Sequence, residues 1–359
     1  MPAIEIPWQL DLIIRISLML VFILITVIIL IWMVRKVVGH IQLRLGPMRT
    51  GWHGWLQSPA DAVKLLTKED LKPAAADPVV FRMAPYVVFV PAFLVYVSIP
   101  FTKELLIRSM DLGIFYIMAI SSLSVVGIVM AGLGSGNRYS LLGAVRSGAQ
   151  MISYELPLVL SVLGVAMVAG SLNLTAIVAE QAPVPNLLVQ PLGFFIFFLA
   201  ALAELNHQPF DIQVAESEVV GGPFIEYSGL RWGMFYMSEM ANLFAVSALC
   251  TLVFLGGWQW PLPDVEGWQW ALLSAAWFLA KTYAVVFIFM WVRASLPRLR
   301  IDQLMSFSWK LLIPLAFLNI FLTGAYRVFQ WHWLVLFILS SAVLVATGWG
   351  IYVWRRASR

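Results

Sequence analysis

Six carboxyl side chains lie close together in the sequence, between two strongly apolar segments of the chain. The stretch from Ala203 to Glu239 carries these six of the 19 acidic residues, with few bases to balance them: Glu204, Asp211, Glu216, Glu218, Glu226 and Glu239. An unpaired carboxylate costs several kcal/mol when it is taken out of water. Carboxylates beside membrane-embedded segments therefore indicate proton exchange or ligand binding.

Two further ionisable residues are expected inside apolar segments. Glu155 is predicted to lie just inside the fourth segment, and Lys281 lies about ten residues inside the seventh. A structural ion pair and a role in a water-filled cavity explain Lys281 equally well. The single cysteine, Cys250, excludes an internal disulfide and an all-cysteine metal cluster, and the four histidines show no metal-ligand spacing.

These residues must be positioned by membrane helices, because the composition is far too apolar for a soluble domain. Hydrophobic residues make up 61% of the chain, charged residues 12%, and the mean hydropathy is +0.87. The pattern predicts an all-α, polytopic bundle in one integral membrane domain, and the absence of strand alternation argues against a barrel. The nine predicted spans lie near residues 11–34, 79–101, 112–133, 150–170, 191–206, 233–257, 271–292, 308–326 and 333–354.

Most of the 23 lysines and arginines fall in alternate connections between these spans. By the positive-inside rule these connections face the cytoplasm, which places the N-terminus outside and the C-terminus inside. The basic pI of about 9.2 then reflects orientation and does not indicate nucleic-acid binding. The first span lacks a basic leader and is expected to be retained.

The first cytoplasmic connection, 35–78, is the longest polar segment. Ser58 is predicted to cap a surface helix that begins at Pro59, with Asp61 completing a capping-box-like start. Such a helix is either a juxtamembrane anchor or a lid over an opening for an amphiphilic ligand. In the last cytoplasmic connection, Arg293, Arg298, Arg300 and Asp302 either satisfy the positive-inside rule alone or dock a protein partner, and the embedded Asp302-Gln303 favours docking.

Four segments together carry a family resemblance. They read LRLGP with ADAVKLLTKED, GAQMISYELP, AELNHQPFD with AESE and EYSG, and RASLPRLRIDQ. Over about residues 30–310 the chain resembles the H-subunit family of NADH:quinone oxidoreductase, the respiratory complex I. The resemblance implies a protein of the inner membrane of a bacterium that lines the quinone tunnel and begins an acidic, proton-pumping route.

The family resemblance also implies cofactors, partners and site residues. Quinone is the substrate, the chain binds no redox cofactor or metal, and flavin and iron–sulfur clusters belong to partner subunits. Those partners are the peripheral quinone-site and iron–sulfur subunits and the small and antiporter-like membrane subunits. The implied tunnel residues are Arg35, Gln42, Arg44, Gly46, Asp61, Lys64, Phe210, Asp211 and Phe235. The implied proton-coupling residues are Glu155, Glu204, Glu216, Glu218, Glu226, Glu239 and Lys281.

The chain departs from the family pattern at several charged positions. Val34 replaces a usual glutamate, His207 a usual arginine, and Val214 a usual glutamate, while some members are acidic at the position of Ser122. We expect this protein to differ from its relatives at His207 and Val214. Arg35, Arg44 and Lys64 of the first connection are expected to offset the charge of the acidic loop at 207–232.

Two alternative functions remain open from the sequence. One is a membrane subunit of a related hydrogenase-type, ferredoxin-linked or coenzyme F420-linked complex. The other is a stand-alone ion transporter, whose mark would be inverted repeats with broken helices. No repeat is visible, which favours the complex-I-type interpretation. The ninth span at 333–354 is an extra C-terminal helix beyond the matching region.

Overall fold

The computed structural model describes residues 8–211, 220–259 and 268–357, and these parts of the chain are helical with no strand. The all-α bundle predicted from composition is therefore confirmed. The helices are α1 Trp8–Ile41, α2 Gln57–Thr67, α3 Pro78–Leu94, α4 Gly113–Gly134, α5 Arg138–Ala169, α6 Leu174–Glu180, α7 Asn186–Val189, α8 Pro191–Glu204, α9 Gly229–Phe254, α10 Trp268–Ser295, α11 Ile301–Phe307, α12 Ile313–Phe329 and α13 Trp333–Ala357. A π-helical turn at Ser308–Leu312 joins α11 to α12.

Eight helical segments of the described chain are long and apolar enough to cross a membrane. They are α1, α3, α4, α5, α9, α10, α11 with α12, and α13. The remaining predicted span, the fifth at 191–206, corresponds to α8, which has only 14 residues. At 1.5 Å per residue it is about 21 Å long, shorter than a hydrocarbon core of about 30 Å. The short helix begins at Pro191, directly after the separate turn α7.

Helix α5 begins well before the predicted span, which placed its start near residue 150. It starts at Arg138, because the Asn137 side chain accepts a hydrogen bond from the Tyr139 N–H at the first turn. The prediction missed this extension because two arginines and two glycines interrupt its apolar residues. As a result, Glu155 lies in the middle of a 32-residue helix instead of just inside its start.

The predicted capping of the surface helix is wrong. Helix α2 begins at Gln57, its N-cap is Leu56, and no side chain caps it. Ser58 is already inside the helix and buried. Asp61 accepts hydrogen bonds from Arg35 and Gln57, because a guanidinium is a stronger partner than a backbone amide. The helix is thus tied to α1 through its carboxylate.

The predicted cytoplasmic connections lie together at one face of the bundle. The Leu71 N–H donates to Ser228 Oγ, Asn137 donates to Glu226, and Arg298 donates to Asp211. These contacts join the segments before α3, α5, α9 and α11. If all four segments lie on one side of the membrane, the chain must cross the membrane through α8, as the predicted alternation of spans requires.

Helix α9 lies at the centre of the bundle and is the most deeply enclosed span. It packs against α3, α10 and the surface helix α2. The Tyr96 hydroxyl donates to the Ala241 carbonyl at 2.6 Å, which fixes the end of the α3 segment against the middle of α9. Glu239 lies in the same part of α9, two residues before Ala241.

Candidate functional site

A cavity of about 300 Å³ lies beside α9. Its lining is mainly apolar and comes from α3, α4, α5, α8 and α9, including Val88, Ile117 and Phe197. Its polar part contains Glu204, Asp211, Glu239 and Arg293. Four of the predicted site residues therefore share one cavity: Glu204, Asp211, Phe235 and Glu239. An apolar body with one polar end suits an amphiphilic ligand.

Arg293 joins two side chains at the polar end of this cavity. Its Nη1 lies 3.1 Å from His207 Nδ1 and 3.3 Å from Glu239 Oε1. Because a guanidinium only donates, His207 Nδ1 must accept, and the imidazole is neutral with its proton on Nε2. His207 Nδ1 and Glu239 Oε1 are 3.7 Å apart, too far for a hydrogen bond. One cation thus holds both groups.

Asp211 is paired across the same face. Arg298 Nη2 donates to Asp211 Oδ2 at 3.0 Å, and the Asp211 side chain is only 13% exposed. The Leu299 N–H also donates to the Pro209 carbonyl at 3.0 Å. Arg298 of the last connection therefore neutralises Asp211, whereas the sequence predicted the neutralising cations in the first connection and a protein partner for Arg298.

Glu204 and Glu155 lie close enough for their charges to repel one another. Glu204 is the last residue of α8 and lines the cavity. Glu155 projects from the middle of α5, which packs along α8. The two carboxyls predicted at similar depth are thus neighbours. Gln150 fixes the chain beside them by donating to the Ala203 and Phe210 carbonyls at 2.7 and 2.8 Å.

The implied tunnel residues of the first connection form a separate group. Arg35 donates to Asp61, and Lys64 Nζ lies 3.9 Å from Asp61 Oδ1. Burial favours a raised pKa for Asp61, but hydrogen bonds from Arg35 and Gln57 and the nearby cations lower its pKa below the ordinary value. Tyr236 lies between the Arg35–Asp61 pair and the cavity. It lines the cavity and lies within electrostatic range of both Arg35 and Glu239.

Other implied tunnel residues lie away from the cavity lining. Arg44 and Gln42 are exposed, and Arg44 Nε donates to Gln42 Oε1 at 2.9 Å. Gly46 packs against the end of α1, where a methyl group would lie 3.1 Å from the Arg35 carbonyl. Phe210 is buried against Tyr154, with ring centroids 5.5 Å apart. Their roles toward quinone stay predictions.

Lys281 and Glu226 bind structural partners. Lys281 Nζ donates to the Leu255 and Gly257 carbonyls at 2.8 Å each, at the C-terminal end of α9. A cation at this end of a helix is favourable because it satisfies free carbonyls. Glu226 accepts a hydrogen bond from Asn137 at 2.7 Å. Neither residue lines the cavity. Their predicted part in proton coupling stays a prediction.

Glu216, Glu218 and Val214 lie outside the described residues, so their predicted roles stay predictions. Sequence reasoning missed several cavity residues that resemble ordinary residues of apolar spans. They are Ser121, Ser124, Tyr236, Ser238 and Asn242. Asn242 gave a usable signal, because an amide in an apolar span is costly without a polar partner or cavity. No group of three or more His, Cys, Asp or Glu within the described ranges could hold a metal ion.

Comparison with known proteins decides the family. The sequence profile described as NADH dehydrogenase matches residues 14–324. The chain belongs to this family. Its relatives include the H subunit of the NADH-quinone oxidoreductase of Dehalococcoides mccartyi strain CBDB1, 50% identical over 84% of this chain and 83% of the relative. The corresponding protein of Brevibacillus brevis is 46% identical over 84% and 88% of the two chains. That of Anoxybacillus flavithermus is 49% identical over 81% and 86%.

These relatives confirm the resemblance derived from the four sequence segments. The family match ends at residue 324, so helix α13 lies beyond it. Within the matched region, His207 stands where the resemblance expects an arginine. The guanidinium of Arg293, from another part of the chain, contacts the His207 imidazole.

The buried histidine predicts a pH-dependent stability. Burial, and then the charge of Arg293, lower the pKa of His207 well below its ordinary value. The unfolded chain therefore takes up this proton first as the pH falls. The contribution of neutral His207 to the free energy of unfolding is therefore complete above about pH 6.5. Below that pH the free energy of unfolding falls by at most about 1.4 kcal/mol per pH unit. Arg293 and Glu239 are the charged groups facing the imidazole.

The measurement is the thermal unfolding midpoint of the detergent-purified protein between about pH 7.5 and pH 5.5. Wild type is expected to lose stability more steeply than His207→Gln, which keeps a neutral polar side chain. Equal slopes for the two proteins would show that His207 does not titrate in this way.

Proposed function

We propose that this chain is the membrane subunit that forms the quinone entry route of a complex-I-type NADH:quinone oxidoreductase, together with the first part of its proton-coupling route. One observation carries this proposal. The cavity beside α9 combines an apolar lining with a polar end formed by Glu204, Asp211, Glu239 and Arg293. A quinone has the matching chemistry, since its tail and ring are apolar and its two carbonyl oxygens are polar.

Reduction of the quinone changes the charge at the polar end. The ring takes up two electrons and two protons to give the quinol, and negative charge develops on its oxygens before both protons have arrived. The electrons come from flavin and iron–sulfur clusters of partner subunits, as membership of this family implies. The chain described here supplies charge compensation and proton transfer.

Arg293 is placed to respond first to that charge. Its guanidinium is shared between His207 and Glu239, so a competing anion in the cavity would draw it away from the Glu239 carboxylate. A carboxylate that loses its cation becomes easier to protonate. Negative charge on the quinone thereby changes the proton affinity of the Glu239 carboxylate.

Glu204 and Glu155 extend the route along α8 and α5. Glu204 shares the cavity with Glu239, and the Glu155 carboxyl lies within electrostatic reach of Glu204. Groups that interact in this way gain and lose protons as a set. A protonation change at Glu239 would therefore propagate to Glu204 and Glu155, away from the cavity.

The cytoplasmic face is proposed to contact the peripheral quinone-site and iron–sulfur subunits. The first connection exposes large apolar side chains there: Leu43 is 97% exposed and Trp52 is 78% exposed. Exposed apolar residues of this kind mark protein contact sites. The exposed membrane helices are proposed to face lipid and the small and antiporter-like subunits of a bacterial membrane, with the N-terminus outside and the C-terminus in the cytoplasm.

Asp211→Asn tests the quinone role. The change removes the charge that Arg298 pairs with at the polar end of the cavity, and we expect quinone reductase activity of the assembled complex to fall roughly tenfold. Asp302→Asn is the matched control, because Asp302 is an exposed carboxylate on the same face. Full quinone turnover and proton pumping in Asp211→Asn would contradict the proposal. Glu216→Gln extends the same test to the part of the loop outside the described residues.

A further inference from the structure

Three polar side chains are buried together inside the bundle, away from the cavity. Gln190, Asn319 and Thr323 are each 0% exposed, and none of them lines the cavity. Gln190 Nε2 donates to Thr323 Oγ1 at 2.9 Å and to the Gly164 carbonyl at 3.3 Å. Thr323 Oγ1 donates to the Asn319 carbonyl at 2.7 Å. The cluster joins α5, α12 and the start of α8.

Three polar atoms of this cluster remain unsatisfied. Gln190 Oε1, Asn319 Oδ1 and Asn319 Nδ2 have no hydrogen-bond partner among the described residues. Buried amide groups without a partner cost several kcal/mol, and most such groups in proteins bind protein or ordered water. Three unsatisfied atoms at one place therefore indicate a binding site for a small polar ligand.

The surrounding backbone makes room for these amides. A methyl group at Gly164 would lie 2.8 Å from Asn319 Nδ2 and 3.4 Å from Gln190 Oε1. At Gly193 it would lie 3.2 Å and 3.3 Å from the same two atoms. Both glycines thus face the same pair of unsatisfied atoms, so these atoms converge on one small region.

The first turn of α8 also lies at this point. Gln190 is its N-cap residue, yet no side chain caps the helix. Thr323 is six residues before the end of α12 at Phe329, about 9 Å below that end. The start of α8 is therefore within the membrane, where its free N–H groups need partners.

We propose that Gln190 and Asn319 bind at least one buried water molecule, which caps the start of α8 inside the membrane. Water fits the unsatisfied set, because it donates to Gln190 Oε1 and Asn319 Oδ1 and accepts from Asn319 Nδ2 or from N–H groups of α8. A metal cation would satisfy only the oxygens. A lipid head group cannot reach residues that are fully buried.

This site is independent of the quinone route. It connects the end of α5, at Gly164, with the start of α8, whereas Glu155 lies nine residues earlier in α5 and Glu204 lies at the opposite end of α8. The bound water thus fixes the helix that carries Glu204 without touching the cavity.

The direct test is a structure of the assembled complex at a resolution that shows ordered water. We expect density within about 2.7–3.2 Å of at least two of the three unsatisfied atoms. Two results would overturn the proposal. One is direct contact between the Asn319 and Gln190 amides with no density between them. The other is a cation bound by oxygens alone at about 2.3–2.6 Å.

X-ray footprinting in ¹⁸O-labelled water gives an independent readout, because radicals formed from a bound water oxidise the side chains beside it. Leu192 is 0% exposed and directly precedes Gly193, which faces the unsatisfied atoms, and we expect it to be labelled in the intact complex. Asn319→Leu should lower this label severalfold. Ser161→Ala is the matched control, since the buried Ser161 hydroxyl already donates to the Leu158 carbonyl. An unlabelled Leu192, or a label unchanged in Asn319→Leu, would contradict the water site.

Discussion

Arg293→Gln is expected to lower quinone reductase turnover of the assembled complex roughly tenfold. The change leaves the Glu239 carboxylate inside the bundle without the guanidinium that donates to it at 3.3 Å. Removing one partner of a fully buried ion pair costs about 3–5 kcal/mol. Glu239 is 35% exposed and Arg293 is 28% exposed, so solvent screens their interaction. We therefore expect the loss of this ion pair to cost about 1–2 kcal/mol. Because Arg293 is proposed to offset the charge that develops as the quinone is reduced, losing about 1.4 kcal/mol of that stabilisation lowers the rate about tenfold.

Two matched variants separate charge from geometry. Arg293→Lys keeps the cation and should retain most of the activity. Arg298→Gln removes an arginine that is 38% exposed and pairs with Asp211, and its effect should be smaller than that of Arg293→Gln. Steady-state NADH oxidation with added quinone measures all three, after assembly of the complex has been checked. An Arg293→Gln complex that assembles and keeps wild-type turnover would exclude a role for this cation.

Glu204→Gln is expected to reduce proton translocation per quinone severalfold, since an amide cannot take up or release the proton. Glu155→Gln should have a similar effect. Because the two carboxyls interact, the double variant should lose little more than the worse single variant. Proton uptake and quinone reduction are measured together in vesicles that contain the complex.

Glu180→Gln serves as the control for Glu204→Gln, because Glu180 is an exposed carboxylate at the end of α6. It should keep the wild-type ratio of protons to quinone. If the losses from Glu155→Gln and Glu204→Gln multiply in the double variant, the two carboxyls act separately and the shared route is wrong.

The sequence predicted the helices well, because membrane spans need long apolar runs that are visible in one dimension. It failed at polar helix ends. The start of α5 at Arg138 was missed because residues 138–149 contain arginine, serine and tyrosine. Ser58 was assigned as a cap because the sequence could not show that Arg35 lies next to Asp61.

The candidate site shows the same limit. The carboxylates Glu204, Asp211 and Glu239 were identifiable because charged groups are rare near apolar spans. The partners of Glu239 and Asp211 were not identifiable, since Arg293 and Arg298 lie 54 and 87 residues away from them in the chain. The lysine in α10 was expected inside a span, but its binding to carbonyls of the preceding helix depends on how two helices pack.

Helix α8 has a consequence for the surrounding bilayer. A helix of about 21 Å exposed to lipid would force the membrane to thin locally. Helix α13 lies against α7, α8 and α12, and its Val343 and Leu344 pack with Leu192 and Ile196 of α8. On the side of α8 that α13 covers, lipid therefore contacts the longer helix α13. This packing reduces the lipid-exposed mismatch between the 14-residue helix and a hydrocarbon core of about 30 Å.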